Sequence, residues 1–313
     1  MARKKGNDVD GILLLDKPLG RSSNSALQKV RYLFNAKKAG HTGSLDPLAT
    51  GVLPICFGQA SKVTAFLLDS DKRYRCTAQL GSTTTTGDKE GDELNIRKVT
   101  PFTEDDIEKV LADYRGAIEQ IPPMHSALKH NGQPLYKLAR QGIEIERKVR
   151  HVTIHELTLI EFSEDTITLD VQCSKGTYIR TLAQDIGDAM GFGAHLSMLR
   201  RTDVSPFDCS RLYTIEELEQ LAAEDKLSEL LLPIDSVLLE FPAIKLNADE
   251  VALIRNGIKI VREDTPETDM IRLYSDQDVF LGIGKHALND EGKVMLVPRR
   301  LMNTQAPLVK NNP

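Results

Sequence analysis

A twelve-residue segment, GHTGSLDPLATG at residues 40–51, constrains the fold of this 313-residue chain more than any other. Its glycines, threonines, serine and proline are typical of a tight turn and leave little room for a helix or a regular strand. One acid, Asp46, lies in the middle and precedes Pro47, which disfavours a helical backbone at the preceding residue. We therefore expect Asp46 to be held in a fixed, non-helical position on this loop. An ordinary Asp-Pro turn without a chemical role is the alternative.

The composition is typical of a globular protein of about two domains, with 41% apolar and 27% charged residues. No run of about 18 apolar residues indicates a membrane span, and the N-terminal sequence MARKKGNDVDG lacks the apolar segment of a secretory signal. The four cysteines are far apart without a CxxC pair, and the seven histidines are scattered. This pattern predicts free thiols in the cytoplasm, no metal site and no cofactor.

The charge is unevenly distributed, although the net charge is only −5. Residues 1–40 carry a local net charge of +6 and residues 121–150 one of +4, whereas residues 214–240 carry −7. Binding to nucleic acid requires a basic face rather than a basic average, so the two basic stretches are candidate RNA-binding surfaces. Solvated charged faces without a partner are the alternative.

Hydrophobic periodicity and turn residues predict an alternation of strands and helices. We expect strands at 11–16 and 72–80, a hairpin at 150–173, helices at 25–36, 58–68, 181–190, 214–226 and 248–255, and a further helix that begins at Thr103. From residue 241 onward, short apolar stretches separated by polar turns predict a small β-rich domain.

Six segments in the same order resemble the TruB family, the bacterial tRNA pseudouridine-55 synthases. They are GHTGSLDPLATG, LLLDKPLGRSSNSALQKVR (13–31), SDKRYRC (70–76), IPPMHSALKHNGQPLYKLARQG (121–142), CSKGTYIRTLAQDIG (173–187) and GFGAHLSMLRR (191–201). The resemblance covers roughly residues 10–235.

The resemblance implies an α+β pseudouridine synthase fold with a central, mainly antiparallel mixed sheet flanked by helices. It also implies a small C-terminal β-rich domain similar to a PUA domain, an RNA-binding barrel. The implied organisation is a flexible basic N-terminus (1–9), a catalytic domain (10–240) with a basic RNA-binding thumb (121–150), a PUA-like domain (241–304) and a flexible tail (305–313).

The same resemblance assigns roles to individual residues. Asp46 is the catalytic nucleophile, Tyr74 stacks on the flipped uracil, and Arg180 pairs with Asp46. The implied substrate-binding residues are His41, Tyr74, Tyr178, Leu199, Lys62 and Lys17. The implied thumb contacts to RNA are Lys129, Lys137 and Arg140.

Several positions bear on RNA binding or can be compared with the pattern of the family. The tyrosine at 74 lies between Arg73 and Arg75, so it could stack on a base while the two cations meet phosphate. Thr85 occupies a position where the family commonly has an acid, and His125 one where many relatives have an aromatic residue. Asp88 matches an acidic position of the family.

The expected chemistry converts uridine to pseudouridine, which breaks the N1–C1′ bond and forms a C5–C1′ bond without a redox change. An ionised carboxylate can act on the sugar or the base as a nucleophile, or abstract a proton. The target base must leave its stack to reach that carboxylate, which requires a stacking platform and an apolar wall.

The expected substrate is uridine 55 in the T-arm stem-loop of tRNA, converted by a monomer that needs no obligate protein partner and no membrane. A synthase directed by a separate guide RNA is a close alternative, against which the basic thumb argues. An RNA-folding chaperone that uses the same cleft is a second alternative. A hydrolase that uses Asp46 as its nucleophile is a third, but no second acid supports it.

Overall fold

The computed structural model describes residues 6–303. Residues 6–9, which the sequence predicts to be flexible, are instead held by the chain that follows the first helix. The Asn7 N–H donates to the Asn35 carbonyl at 2.6 Å, and the Lys37 N–H donates to the Asn7 carbonyl at 3.0 Å. The remainder of the predicted flexible ends, residues 1–5 and 305–313, lies outside the described residues.

Strands dominate the described chain. In chain order they are β1 Gly11–Lys17, β2 Ala39–His41, β3 Ala49–Phe57, β4 Lys72–Leu80, β5 Thr83–Thr84, β6 Glu93–Leu94, β7 Gly116–Gln120, β8 Lys129–His130, β9 Gln133–Pro134, β10 Arg150–Phe162, β11 Thr166–Cys173, β12 Ala194–Val204, β13 Ala243–Leu246, β14 Ile260–Val261, β15 Ile271–Ser275, β16 Phe280–Leu288 and β17 Val294–Leu301. The helices are α1 Ser23–Leu33, α2 Thr64–Asp69, α3 Glu104–Ala112, α4 Leu135–Ala139, α5 Ile179–Ala189, α6 Ile215–Ala223 and α7 Ala248–Arg255. No helix within residues 6–303 is long and apolar enough to cross a membrane.

The helix starts follow from local capping chemistry. Thr103 and Thr214 each cap a helix through a capping box, in which the threonine hydroxyl and an acid three residues later satisfy the first backbone N–H groups. Ser22 caps α1 by accepting from the Ser25 N–H at 3.2 Å. The predicted starts at Thr103 and Thr214 are confirmed, whereas α1 begins two residues before the predicted residue 25.

An eight-stranded sheet in the order β1-β3-β12-β4-β11-β10-β7, with β2 on the edge of β3, forms the centre of the molecule. Within it β12 runs parallel to β3, and the other pairs are antiparallel. The predicted mainly antiparallel mixed sheet is therefore confirmed. The parallel pair brings Leu199 beside Ala49 and Arg201 beside Gly51, so β12 runs directly along the end of the Asp46 loop.

Four strands of this sheet, β2, β3, β7 and β12, were not predicted. The prediction that residues 40–51 leave little room for a strand was wrong at both ends, because β2 ends at His41 and β3 begins at Ala49. Strand β12 lies in the middle of the sheet, where no strand was assigned to residues 194–201. Strand β3 is buried along nearly all of its length and therefore lacks the polar alternation that marks a half-exposed strand.

Alternate residues of β1 and β3 enter different cores. Leu13 and Leu15 pack with helices α1 and α6, whereas Ile12 and Leu14 pack with α2 and the C-terminal domain. Helices α3 and α5 cover the strands further along the sheet. Strand β3, on which the Asp46 loop ends, is thus fixed from both faces.

The C-terminal residues form a five-stranded sheet in the order β13-β15-β16-β17-β14, which confirms the predicted β-rich domain. Its Ile283 and Met302 share a buried cluster with residues of the large domain. Lys62 donates to the Leu301 carbonyl at 2.6 Å, so this predicted substrate-binding lysine lies at the junction of the two domains. It does not lie beside Asp46.

We expect Gly51→Ala to destabilise the protein by several times more than Gly116→Ala. Both glycines have a positive φ, +99° and +85°, a conformation that costs other residues about 1–2 kcal/mol. A Cβ at Gly51 would lie 2.0 Å from the Arg201 carbonyl oxygen, whereas one at Gly116 would meet open space. Urea unfolding of the two variants measures the difference. Equal losses would contradict the close approach of β12.

Candidate active site

The Asp46 loop is fixed by side chains from β1 and α1. The buried hydroxyl of Ser23 accepts from the Leu45 N–H at 2.8 Å and donates to the Leu45 carbonyl at 3.0 Å. The Asp46 carbonyl accepts from the Ala49 N–H at 3.0 Å, which closes the turn through Pro47. The carboxylate therefore projects from a loop that two elements hold at its base.

Lys17 supports this loop through hydrogen bonds to backbone carbonyls. Its side chain is fully buried, and its ammonium group donates to the carbonyls of Arg21 at 2.5 Å, Pro18 at 2.9 Å and Pro47 at 3.5 Å. Burial lowers the Lys17 pKa to about 8, against the opposing pull of Asp46 and Glu90. The sequence-based assignment of Lys17 as a substrate-binding residue is therefore corrected: it holds the backbone behind Asp46.

Arg180 meets the Asp46 carboxylate, with 2.9 Å between Nη2 and Oδ2. The arginine side chain is only 6% exposed, and its second nitrogen lies 3.8 Å from Asp88 Oδ2. It also donates to the backbone carbonyls of Thr86 at 2.6 Å and His125 at 2.7 Å. One guanidinium thus connects the Asp46 loop, the loop at 81–92 and the base of the thumb.

The local backbone around Arg180 differs from the prediction. Tyr178 is the N-cap of α5, and Arg180 lies in its first turn, before the predicted start at residue 181. The helix begins two residues earlier than predicted because Gln120 exchanges hydrogen bonds with the Tyr178 backbone at 3.0 and 3.3 Å. Both side chains nevertheless line the same cleft.

Two opposing effects act on the Asp46 carboxyl. Burial raises its pKa above the ordinary value near 3.8, and the nearby Asp88 adds to this. The cations of Arg180 and Lys17 oppose the rise. Arg180 therefore favours the ionised acid as predicted, but burial is the larger effect.

A cleft of about 280 Å³ opens beside this ion pair. Tyr74, Tyr178 and Leu199 line it together with Asp46 and Arg180, so the structure brings these five predicted residues together. Leu199 is only 7% exposed and belongs both to the core and to the cleft wall. Burial raises the pKa of the Tyr74 phenol, so this group is neutral at ordinary pH.

The two arginines that flank Tyr74 in the sequence lie apart from its ring, and that they meet phosphate stays a prediction. Successive side chains of a strand point to opposite faces, so Arg73 and Arg75 lie on the face away from the Tyr74 ring. There both ion-pair with Asp170, and Arg73 also reaches Glu156 at 3.0 Å.

A second cleft of about 630 Å³ lies on the other side of the ion pair, and Asp46 and Arg180 line both. His41 and the thumb residue Arg140 line this second cleft. Burial, and to a smaller extent Arg201, lowers the pKa of His41 below 6.5, so its ring is neutral at pH 7. A neutral imidazole can enter a base stack at little desolvation cost.

The thumb leaves the sheet and returns to it at one point, because Gln120 of β7 pairs with Arg150 of β10. Lys129 and Lys137 are exposed on it and do not line either cleft. Arg140 lies over the Tyr136 ring at 5.7 Å. A larger cavity of about 950 Å³ separates the thumb from α5, but Asp46 takes no part in it.

Sequence reasoning missed several contributors to this site. The carbonyls of Thr86 and His125 act through the backbone, so neither residue type signals the contact. The side chain of Arg201 lines the first cleft, although the sequence indicated only a cationic pair at the end of a segment. Arg201 follows Leu199 by two residues, and residues with this spacing share a face of a strand. This spacing is the signal that could have identified Arg201.

Comparisons with known proteins agree with this geometry. The profile of the TruB family pseudouridylate synthase N-terminal domain matches residues 31–179, that of the tRNA pseudouridylate synthase B C-terminal domain 180–239, and that of the pseudouridine synthase II TruB C-terminal domain 242–302.

Full-length relatives are also similar. A tRNA pseudouridine synthase B of Pseudomonas fluorescens is 52% identical over 95% of this chain and 97% of its own length. One of Nitrosococcus oceani is 49% identical over 97% of this chain and 98% of its own. Among solved structures, a chain of a Cbf5-Nop10-Gar1 complex superimposes with a TM-score of 0.69 at 25% identity, covering 93% of this chain and 84% of that one. The chain therefore belongs to the TruB family of pseudouridine synthases.

Proposed function

We propose that this chain converts uridine 55 in the T-loop of tRNA to pseudouridine, with Asp46 as the catalytic carboxylate. The observation that carries the proposal is the Asp46–Arg180 ion pair at the wall of a cleft lined by Tyr74 and Leu199. The two relatives described above are named tRNA pseudouridine synthase B, which supports tRNA as the substrate.

The geometry supports a base-flipping reaction. An extruded uracil in the first cleft would stack on the Tyr74 ring, against the apolar wall of Leu199. Asp46 then faces the sugar or the base as a nucleophile or as a base that abstracts a proton. The N1–C1′ bond breaks, the uracil turns, and C5 bonds to C1′. The proton lost from C5 is balanced by one gained at N1, so the product is an isomer.

The surroundings of the clefts suit an RNA hairpin. His41 lies at the edge of the second cleft, where its neutral ring can fill the space left by a flipped nucleotide. The exposed thumb cations Lys129 and Lys137 can meet phosphates, and Arg140 faces the second cleft. Recognition of loop shape and splayed bases is the usual mode for single-stranded RNA segments. The C-terminal domain is assigned a supporting RNA-binding role.

We expect the purified chain, without guide RNA or added protein, to convert a T-arm stem-loop as well as full-length unmodified tRNA. The thumb supplies a substrate grip on the chain itself, so no separate RNA is required. Release of tritium from C5-labelled uridine measures both rates. Conversion of full-length tRNA alone would contradict a local readout of the T-arm. Conversion only with an added guide RNA would favour the guided alternative.

A further inference from the structure

Arg201 is a buried cation without a carboxylate partner. Its side chain is 1% exposed and is among the largest fully buried side chains of residues 6–303. No carboxylate of the described chain lies within ion-pair distance of it, which is uncommon for a buried arginine. Such a position costs stability, which points to a role for the guanidinium other than stabilising the fold.

The guanidinium connects the two ends of the Asp46 loop. Its Nε donates to the Val52 carbonyl at 2.8 Å, and its Nη2 donates to the Gly43 carbonyl at 3.0 Å. Gly43 precedes Asp46 by three residues and Val52 follows it by six. The planar fork of arginine can hold two carbonyls at fixed separation, which a lysine ammonium on a flexible stem cannot do.

The loop has glycines where Arg201 approaches it. A Cβ at Gly43 would lie 3.2 Å from Arg201 Nη1, and one at Gly51 would clash with the Arg201 backbone. The glycines at positions 43 and 51 therefore leave the space that Arg201 occupies beside the loop.

Arg201 also faces the ring that lines the first cleft. In the pairing of β12 with β4, Arg201 lies opposite Tyr74, and both side chains line that cleft. The arginine cation opposes the effect of burial on the Tyr74 phenol, on which Cys173 and Asp46 also act. Burial lowers the pKa values of His41, Lys17 and Lys72, and the Arg201 cation adds to this effect at each of them.

We propose that Arg201 is a positioning residue for the isomerisation, which sets the distance between the Asp46 carboxylate and the Tyr74 ring by holding Gly43, Val52 and the phenol together. The inference rests on the proposed function of Asp46. It adds a residue that acts through Asp46 and Tyr74 and does not itself react.

The neighbouring Arg200 provides a matched control. It is 41% exposed and pairs with Asp16 through two bonds of 3.0 and 2.8 Å on the other face of β12. It lines neither cleft. Both arginines lie on β12, so a disruption of this strand as a whole would lower the rate of the Arg200 and Arg201 variants alike.

The test compares Arg201→Lys, Arg201→Gln and Arg200→Lys in single-turnover conversion of unmodified tRNA, with Kd measured separately. We expect both Arg201 variants to lose at least about tenfold in rate, since a misplacement of about 1 Å can cost about 100-fold. Their Kd for tRNA should stay within about threefold of wild type, and Arg200→Lys should react at the wild-type rate. Titration of His41 by NMR should show a raised pKa in Arg201→Gln and little change in Arg201→Lys.

A wild-type rate in Arg201→Lys, or an unshifted His41 in Arg201→Gln, would overturn the inference. If both variants fail to fold, Gly43→Ala is compared with Gly257→Ala, since both positions have a positive φ but only the first contacts the guanidinium. Loss of rate in Gly43→Ala alone supports the inference, and equal rates overturn it. An inactive wild-type enzyme would instead refute the proposed function, so the two failures are distinguishable.

Discussion

Replacement of Asp46 by asparagine is expected to abolish pseudouridine formation while tRNA binding and folding persist. Asparagine has nearly the same shape but cannot attack a carbon or accept a proton as a carboxylate does. Loss of a general base alone typically costs 10²–10⁴-fold, and loss of a nucleophile costs more. Arg180 keeps a charged neighbour in Asp88, at 3.8 Å, and both backbone carbonyl partners.

The change in stability that Asp46→Asn causes has a defined sign. The Asp46 pKa is raised by burial, so the folded state disfavours its ionised form. The favourable contribution of that group is complete below its ordinary pKa near 3.8 and is lost as the pH rises through the raised value. At neutral pH, Asp46→Asn should therefore unfold at the same temperature as wild type or a higher one. A clearly lower unfolding temperature would show that the carboxylate stabilises the fold.

Replacement of Arg180 by glutamine is expected to lower both the rate and the stability. The buried guanidinium faces Asp46 and Asp88, and its loss leaves two carboxylates near each other without a cation in ion-pair contact among the described residues. Breaking a buried pair typically costs about 3–5 kcal/mol, and the lower end applies here because the Asp46 side chain is 45% exposed. Urea unfolding measures this loss.

The same variant should change the pH dependence. Arg180 opposes the rise in the Asp46 pKa, so its removal raises that pKa further. The proposed mechanism requires the ionised carboxylate, and the acidic limb of the rate profile should therefore move to higher pH in Arg180→Gln.

Arg97→Gln is the control for Arg180→Gln. Arg97 is exposed and forms an ion pair at 3.0 Å with Asp188 of α5. Such a pair contributes about 0–1 kcal/mol. The Arg97→Gln profile should match that of wild type. An unshifted acidic limb in Arg180→Gln would contradict the electrostatic role of Arg180.

The sequence predicted what depends on local chemistry. The caps at Thr103 and Thr214 and the hairpin at 150–173 rest on neighbouring residues, and the structure confirms them. The resemblance indicated that Arg180 meets Asp46, and the structure shows this contact.

What the sequence could not predict depends on non-local packing. Strand β12 is recognisable only from its neighbours β3 and β4, which lie far away in the chain. The burial of Lys17 follows from carbonyls that the folded loop brings together. The separation of Arg73 from Tyr74 is an exception, because it follows from strand alternation and could have been predicted from the sequence.

Nucleotide-resolved mapping of pseudouridine in an unmodified tRNA transcript, after incubation with wild type or Asp46→Asn, tests the central claim most directly. Binding of the transcript by both proteins is measured in parallel. We predict pseudouridine at position 55 with wild type, none with Asp46→Asn, and binding by both. Binding without conversion by either protein would contradict the enzymatic account and leave the chaperone or the guided synthase.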